Sequence, residues 1–368
     1  MHANFSSVAL PVEKQHLDLG YVALTDSAPL IVAERLGIFQ KWGLEVELRQ
    51  QPSWATIRDR LQGGLLDAAQ LLAPMPLAAR LGLNRHSSKL ISAMNLSYNG
   101  NAVTLSLDLF DQIKALNGGQ APSFPLASHW LQQIIEYRND LFAPKLKLAC
   151  VYPYSCHYYQ LHDWLTSARI NVEQDIELLF IAPGDMTQAL QENHIDGFCA
   201  GNPWNTKAVR DNLGVTVLTS NDVWPETPEK VLAVTEQWQQ QYPNTYLALV
   251  AAIQQACDWL ATPANRFEAA LMLQPYINEP INVLAPSLVG SCLTQAPCHN
   301  RYMPDLLRFK AQDNNQPSTE QGLFLLDKMR ATGHCHEEVK FNLELINKVY
   351  RHDLYQDAMG LLNQLGEA

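Results

Sequence analysis

Hydrophobic and polar positions alternate in blocks along the first part of the chain, and each block has the length of one strand or one helix. From Leu17 the sequence runs LDLGYVAL, PLIVAERLGIFQKWG, LEVELRQ, SWATIRDRLQGG and LDAAQLLAP. Short apolar runs are typical of buried strands, and the segments between them carry helix-start and helix-stop residues such as Pro29 and Gly43. This β-α-β-α-β order predicts a parallel sheet with crossover helices.

A second series of the same kind follows Asn99-Gly100. Helix-like and strand-like segments alternate through HWLQQIIEYRND, KLKLACVYP, SCHYYQLHDWLTSA, DIELLFIAP, WNTKAVRDNLG and VTVLTS, and the pattern after Glu229 is mostly helical. Two such series predict two similar α/β lobes. We expect residues 1–100 to begin lobe I, residues 101–222 to form lobe II, and residues 223–368 to return to lobe I and add C-terminal helices.

Composition excludes several classes of function. The 368 residues include 26 Lys or Arg and 37 Asp or Glu, so the formal net charge is −11, and no basic run is present. Clustered cations drive nucleic-acid binding, so we expect no direct nucleic-acid ligand. The apolar runs are far shorter than the roughly 20 residues of a membrane-spanning helix, so we expect no membrane segment.

The N-terminal segment and the cysteines bear on the compartment. MHANFSSVALPVEKQHLDLG has no basic region and no apolar core of the kind found in secretion signals. The seven cysteines are irregularly spaced, and most lie in apolar contexts where a thiol behaves as a small hydrophobic group. These features predict a cytoplasmic protein, although a mature secreted chain would also lack its signal.

Three side chains are candidates for binding a small anion. Trp54 follows the helix-capping residue Ser53, so its indole lies beside exposed backbone N–H groups; simple packing of lobe I is the alternative. His157 is in the first turn of a helix capped by Ser155 or Cys156. The alternative is that His157 is an ordinary surface or core residue. Lys230 follows a proline-rich loop and either reaches a cleft or is solvated.

Chemistry that needs a cofactor or a metal has no support in the sequence. GxxxxGK[ST], GxSxG, HExxH and GxGxxG are absent, and the Cys and His residues at positions 292–299 and 334–336 lack the paired spacing of a structural zinc site. Cys156 and His157 are adjacent, so they do not face each other on a helix. We therefore expect no cofactor, no metal and no enzyme activity.

The strings GYVALTDSAPLIVAERLGIFQKWGLEVELRQQPSWATIRDRL and LDAAQLLAPMPL resemble the nitrate- and bicarbonate-binding receptors of ABC transporters. NGNAVTLS, YPYSCHYYQLHDWL, GNPWNTKAVRDNLG and WPETPEKVLAVTEQW follow in the family's order, and the resemblance thins after Pro297. It implies an α/β, two-lobed, type II periplasmic-binding-protein-like fold with a helical C-terminal extension on the first lobe, and a planar oxyanion bound between the lobes.

The resemblance also implies which residues bind the anion. They are Trp54, Asn101, His157 and Lys230, and Thr56 is expected to add a hydroxyl donor. The family's nitrate receptors usually have Gln at the position of Asn101, so the shorter Asn either widens the pocket or admits a water. Bicarbonate-type members tend to have an acidic residue at the position of Lys230, so the lysine favours nitrate or nitrite.

One cytoplasmic group among these relatives senses nitrate or nitrite and, when empty, holds an RNA-binding antiterminator that regulates nitrate assimilation genes. The N-terminus without a signal, the cysteines and the segment PSTEQGLFLLDKMRATGH resemble that group. We therefore expect a cytoplasmic nitrate/nitrite sensor that forms a heterodimer with an antiterminator. The alternatives are a receptor of an ABC nitrate or bicarbonate transporter and, as an enzyme, a pyrimidine-precursor synthase of the same fold that uses Cys156 and His157.

Overall fold

The chain divides into two compact units, each with its own β-sheet. The computed structural model describes residues 11–83, 89–297, 299–311, 314–335 and 343–366. Within these ranges, unit 1 contains the residues up to Tyr98, Pro228–Tyr276 and those from Arg308 onward, whereas unit 2 contains Asn99–Thr227 and Ile277–Leu307.

Unit 1 is built on a mixed sheet. Its strands are β1 (His16–Val22), β2 (Glu45–Gln51), β3 (Ala68–Leu72), β4 (Leu90–Asn99) and β10 (Pro228–Thr235), with the short β13 (Leu307–Arg308) at one edge. Its helices are α1 (Ala28–Arg35), α2 (Ile38–Lys41), α3 (Trp54–Gln62), α4 (Met75–Arg80), α11 (Glu236–Gln241), α12 (Pro243–Ala261), α13 (Arg266–Ile277), α15 (Thr319–Ala331), α16 (Leu343–Val349) and α17 (His352–Gly366).

The order of strands in this sheet is β13-β4-β10-β3-β1-β2. β1 pairs in parallel with β2 and β3, as the β-α-β-α-β pattern predicts, and β10 lies antiparallel between β3 and β4. Every residue of β3 and β4 is buried, which is typical of strands covered on both faces. The insertion of β10 brings residues near position 230 into the centre of unit 1.

The C-terminal helices pack on unit 1, as predicted. The Tyr350 hydroxyl donates to the carbonyl oxygen of Ala73 at 2.8 Å, and the Tyr355 hydroxyl donates to Gln254 Oε1, also at 2.8 Å. α17 contacts α12, a 19-residue helix most of whose apolar residues are buried. Within the described ranges, no helix is both long and apolar enough to cross a bilayer.

Unit 2 has a second mixed sheet, with the strand order β7-β6-β8-β5-β9. Its strands are β5 (Asn101–Ser106), β6 (Leu146–Cys150), β7 (Ile176–Phe180), β8 (Gly197–Gly201), β9 (Gly214–Thr219) and the separate hairpin β11 (Ser291–Gln295) and β12 (His299–Tyr302). Its helices are α5 (Leu107–Leu116), α6 (His129–Asp140), α7 (Cys156–Thr166), α8 (Met186–Gln191), α9 (Trp204–Arg210), α10 (Ser220–Val223) and α14 (Ile281–Leu288).

The segment 277–307 belongs to unit 2, which differs from the boundary drawn from the sequence at 223–368. α14 and β11 contact α9, and β11 also contacts β9. Lys207 Nζ lies 3.2 Å from Glu279 Oε2, and Arg301 donates to the carbonyl oxygen of Phe124 at 2.9 Å. A helical pattern carries no information about which sheet a helix covers, so the sequence did not reveal this second crossing.

Candidate functional site

Trp54 begins helix α3 in unit 1 because Ser53 caps the helix. Ser53 has an extended backbone, and its Oγ accepts from the N–H of Thr56 at 3.2 Å. Trp54 is only 1% exposed, and its Nε1 has no hydrogen-bond partner in the described part of the chain. A buried donor without an acceptor costs about 1–3 kcal/mol, so the indole N–H is a candidate ligand contact.

Thr56 is engaged in the same helix cap. Its Oγ1 lies 3.0 Å from Ser53 Oγ, and its side chain is half-buried. The structure therefore gives this hydroxyl a partner within α3, and its role in binding stays a prediction.

Lys230 is fully buried in β10, and two carboxylates surround its ammonium group. Its Nζ lies 2.9 Å from Asp26 Oδ2 and 3.0 Å from Glu229 Oε1. The same atom lies 5.4 Å from the centroid of the Trp54 ring, within the range of a cation–π contact. Unit 1 thus brings together Trp54 and Lys230, two of the predicted binding residues.

Burial sets the charges in this cluster. Burial raises the pKa of Asp26 above its ordinary value, although Lys230 and a hydrogen bond from Gln70 Nε2 at 2.7 Å act to lower it. Burial alone would lower the pKa of Lys230, but Asp26 and Glu229 outweigh it and raise the pKa. Lys230 therefore stays charged, and the pKa of Asp26 lies above its ordinary value despite the nearby ammonium.

The sequence assigned no role to Asp26 or Glu229, although both lie in the quoted strings ALTDSAPL and TPEKVL. Gln70 fixes the Asp26 carboxylate, because its Oε1 accepts from the N–H of Val22 at 3.1 Å while its Nε2 donates to Asp26. The sequence signal was the position of Asp26 in the turn that follows β1, four residues after Val22, since side chains at the carboxyl ends of strands gather at one edge of a sheet.

His157 occupies the first turn of α7 in unit 2, and its side chain is fully buried. The helix begins at Cys156 because Ser155 is the N-cap residue. Ser155 Oγ accepts from the N–H of Tyr158 at 3.0 Å and donates to the carbonyl oxygen of Tyr152. The cap predicted from the sequence is therefore present, and it places His157 at the positive end of the helix dipole.

Asn101 begins β5 and is fully buried. Its Nδ2 donates to Gln160 Oε1 at 3.1 Å. Asn101 Oδ1 and Gln160 Nε2 have no hydrogen-bond partner among the residues that the structure describes. Gln160 follows His157 by three positions on α7, so both lie on one face of the helix. The sequence did not single out Gln160, although this spacing was visible in HYYQ.

The predicted residues are thus divided between the units: Trp54, Thr56 and Lys230 lie in unit 1, and Asn101 and His157 lie in unit 2. Within the described ranges, no group of three or more His, Cys, Asp or Glu side chains could hold a metal ion. Cys298 and His336, from the two Cys and His groups noted in the sequence, lie outside these ranges.

Solved structures of binding proteins share this fold. The periplasmic nitrate-binding protein NrtA from Synechocystis PCC 6803 matches with a TM-score of 0.87 and 24% identity, over 95% of this chain and 90% of that chain. The periplasmic aliphatic sulphonate-binding protein SsuA from Escherichia coli matches with a TM-score of 0.60 and 14% identity, over 94% of this chain and 100% of that chain. The chain therefore has the predicted periplasmic-binding-protein-like α/β fold.

Similar sequences carry names from anion transport. The nitrate import ATP-binding protein NrtC of Synechocystis sp. is 36% identical over 352 residues, which cover 94% of this chain and 50% of that protein. The nitrate/nitrite binding protein NrtA of Nostoc sp. is 29% identical over 365 residues, covering 97% of this chain and 79% of that protein. This chain spans about half the length of the ATP-binding relatives that it matches. The model of the NMT1-like family matches residues 11–274, and the chain belongs to this family.

Proposed function

We propose that this chain binds a small oxyanion of the nitrate or bicarbonate type as the binding component of an ABC-type uptake system. The observation that carries the proposal is the buried indole N–H of Trp54, which has no acceptor among the described residues, on a ring whose centroid lies 5.4 Å from Lys230 Nζ. A desolvated anion needs N–H donors and a nearby positive charge, and this corner of unit 1 offers both.

The donors of this corner are held in place by the fold. The Ser53 cap fixes the start of α3 at Trp54, and Asp26 and Glu229 fix the ammonium of Lys230. An ammonium group has three N–H donors, so two carboxylate contacts leave one for a ligand. Donors that are ordered in advance lose little conformational entropy on binding, which favours affinity for a ligand of only four heavy atoms.

The relatives' names support a transport-related role over the sensor predicted from the sequence. Relatives are named for nitrate import, bicarbonate transport and nitrate/nitrite or bicarbonate binding. The cytoplasmic location and the antiterminator partner stay predictions of the sequence. Co-purification from cells grown with and without nitrate tests them, because a sensor would release a soluble RNA-binding protein when nitrate is added.

The groups in this corner of unit 1 suit both nitrate and bicarbonate. Nitrate only accepts hydrogen bonds, and Lys230 suits it. Bicarbonate carries one O–H group, and the carboxylates of Asp26 and Glu229 offer acceptors for that group beside the ammonium. The proposed function therefore names a monovalent planar oxyanion.

Calorimetric titration with nitrate, nitrite, bicarbonate and sulfate tests the proposal. We expect one site per chain for at least one of the first three anions and no binding of sulfate, whose second charge would face two buried carboxylates. Trp54→Phe keeps the ring and removes the N–H, so it should weaken binding by about 1.5–3 kcal/mol, or roughly 10- to 100-fold. Absence of binding to all of the first three anions would refute the function.

A further inference from the structure

The side-chain amides of Asn101 and Gln160 are buried but only half used. They are 0% and 2% exposed, and they share one hydrogen bond of 3.1 Å. A side-chain amide has two N–H donors and a carbonyl oxygen with two lone pairs. Asn101 Oδ1 and Gln160 Nε2 nevertheless have no partner among the described residues.

Asn205 is another buried amide of unit 2, and both ends of its side chain form hydrogen bonds within the protein. Asn205 Nδ2 donates to the carbonyl oxygen of Ala200 at 2.7 Å, and its Oδ1 accepts from Thr104 Oγ1 at 2.8 Å. Asn205 is therefore used at both ends, whereas Asn101 and Gln160 each leave one end unused.

The unused ends are costly to the fold. A buried polar group without a partner destabilises the folded state, whereas replacing both members of a pair by apolar groups of the same shape is close to neutral. Leu and Met would fill the same volumes as Asn101 and Gln160 without this cost. Stability alone therefore does not account for two amides here, but a bound ligand that uses the open ends does.

The position of the pair agrees with a role in binding. Gln160 shares a face of α7 with His157, one turn from the helix N-terminus capped by Ser155. Asn101 opens β5, and its partner in β8 is Gly201, which has no side chain.

We propose that Gln160 is a further binding residue and that the Asn101–Gln160 amide pair sets the preference between anions that only accept hydrogen bonds and anions that carry an O–H group. This inference rests on the proposed function. If both amides flip together, their shared hydrogen bond is kept, and the pair still offers one open N–H donor and one open C=O acceptor. Nitrate uses only the donor, whereas bicarbonate uses both.

A double variant, Asn101→Leu with Gln160→Met, separates binding from structure. We expect about a tenfold or greater loss of nitrate affinity by calorimetry, with a thermal midpoint in the absence of anion equal to or above that of the wild type. Thr104→Val is the matched control on the same strand, because among the described residues its hydroxyl contacts Asn205 and Thr216 rather than the amide pair. The control should lower the thermal midpoint and leave the affinity within about twofold.

Gln160→Glu tests the preference directly. The new carboxylate can still accept from Asn101 Nδ2 but has no N–H to offer, so the ratio of nitrate to bicarbonate affinity should fall about tenfold. An unchanged ratio, or a double variant that binds nitrate like the wild type, would overturn the inference. These outcomes presuppose that the wild type binds an anion; a wild type that binds none of them would refute the proposed function itself and the inference with it.

Discussion

The two units hold their candidate binding residues in different ways. In unit 1 the Lys230 ammonium lies between the carboxylates of Asp26 and Glu229, all three completely buried or nearly so. In unit 2 the corresponding groups are neutral amides, and Asn101 and Gln160 share a single hydrogen bond. One unit is organised by charge and the other by polar groups that carry no net charge.

This difference has separate consequences for the stability of the fold and for the preference between anions. Removing one member of a buried ion pair leaves an uncompensated charge and costs about 3–5 kcal/mol, whereas a neutral pair can be replaced with little effect on folding. Unit 1 therefore links its candidate binding residues to its own stability. Under our proposal, unit 2 can vary its amides and so adjust which anion is preferred.

The largest effect should come from Lys230→Met. The variant leaves Asp26 and Glu229 buried without a cation. The free energy of unfolding, measured with denaturant, should therefore fall by about 3–5 kcal/mol, and anion binding should be lost. Adding Asp26→Asn and Glu229→Gln to the variant should restore much of the stability but not the binding. Lys207→Met is the control, since its partly exposed pair with Glu279 should contribute at most about 1 kcal/mol.

A Lys230→Met variant as stable as the wild type would contradict the charged arrangement of unit 1. The sequence alone gives Lys230 a role toward the anion and no partner within the protein. The two carboxylates change that expectation, because they make the lysine a structural residue as well.

Asp26→Asn should have the next largest effect, and it should depend on pH. Burial raises the pKa of Asp26, so the folded state keeps a proton over a pH range where the unfolded state has lost it. The stability contributed by this group is complete below its ordinary pKa near 4 and is lost as pH rises through the raised value. Between pH 4 and 9, the free energy of unfolding should decline less with rising pH in the variant than in the wild type.

Asp26→Asn should also change the pH dependence of anion affinity. An anion prefers the protonated form of Asp26, so wild-type affinity should fall as pH rises. Asp26→Asn should bind nitrate about tenfold more tightly at high pH, with a flatter profile. If nitrate affinity depended on pH in the same way in the variant and the wild type, the charge of Asp26 would have no influence on the bound anion.

Asn101→Gln should produce a moderate effect. The family pattern alone favours unchanged or tighter nitrate binding with the longer amide, but Asn101 is fully buried and already contacts Gln160. An extra methylene group in such a site typically costs 1–3 kcal/mol, and it displaces the shared hydrogen bond. We expect lower thermal stability and weaker nitrate binding; tighter binding would show that the amide pair has room to adjust.

Helix caps and the order of strands and helices were predicted from the sequence, and side-chain contacts between distant segments were not. Ser53 and Ser155 were recognisable as helix caps because capping depends on residues within one turn. The contact of Asp26 with Lys230 depends on β10 inserting beside β3, and Gln160 became informative only when β5 brought Asn101 against α7. The crossing of 277–307 into unit 2 was invisible for the same reason, since periodicity identifies a helix but not its partner.

The smallest effect should come from Thr56→Val. The hydroxyl of Thr56 already contacts Ser53 Oγ, and the backbone N–H that Ser53 caps is unchanged by the substitution, so stability should fall by about 0.5–1 kcal/mol with nitrate affinity within about twofold. Ser53→Ala is the informative partner, because it removes the cap, costs about 0.5–2 kcal/mol and loosens the turn that holds Trp54. A tenfold loss of affinity in Thr56→Val would mean that the hydroxyl leaves the cap to contact the anion. Unit 1 would then offer a second neutral donor besides the Trp54 indole, and the contrast with unit 2 would be weaker than the buried charges indicate.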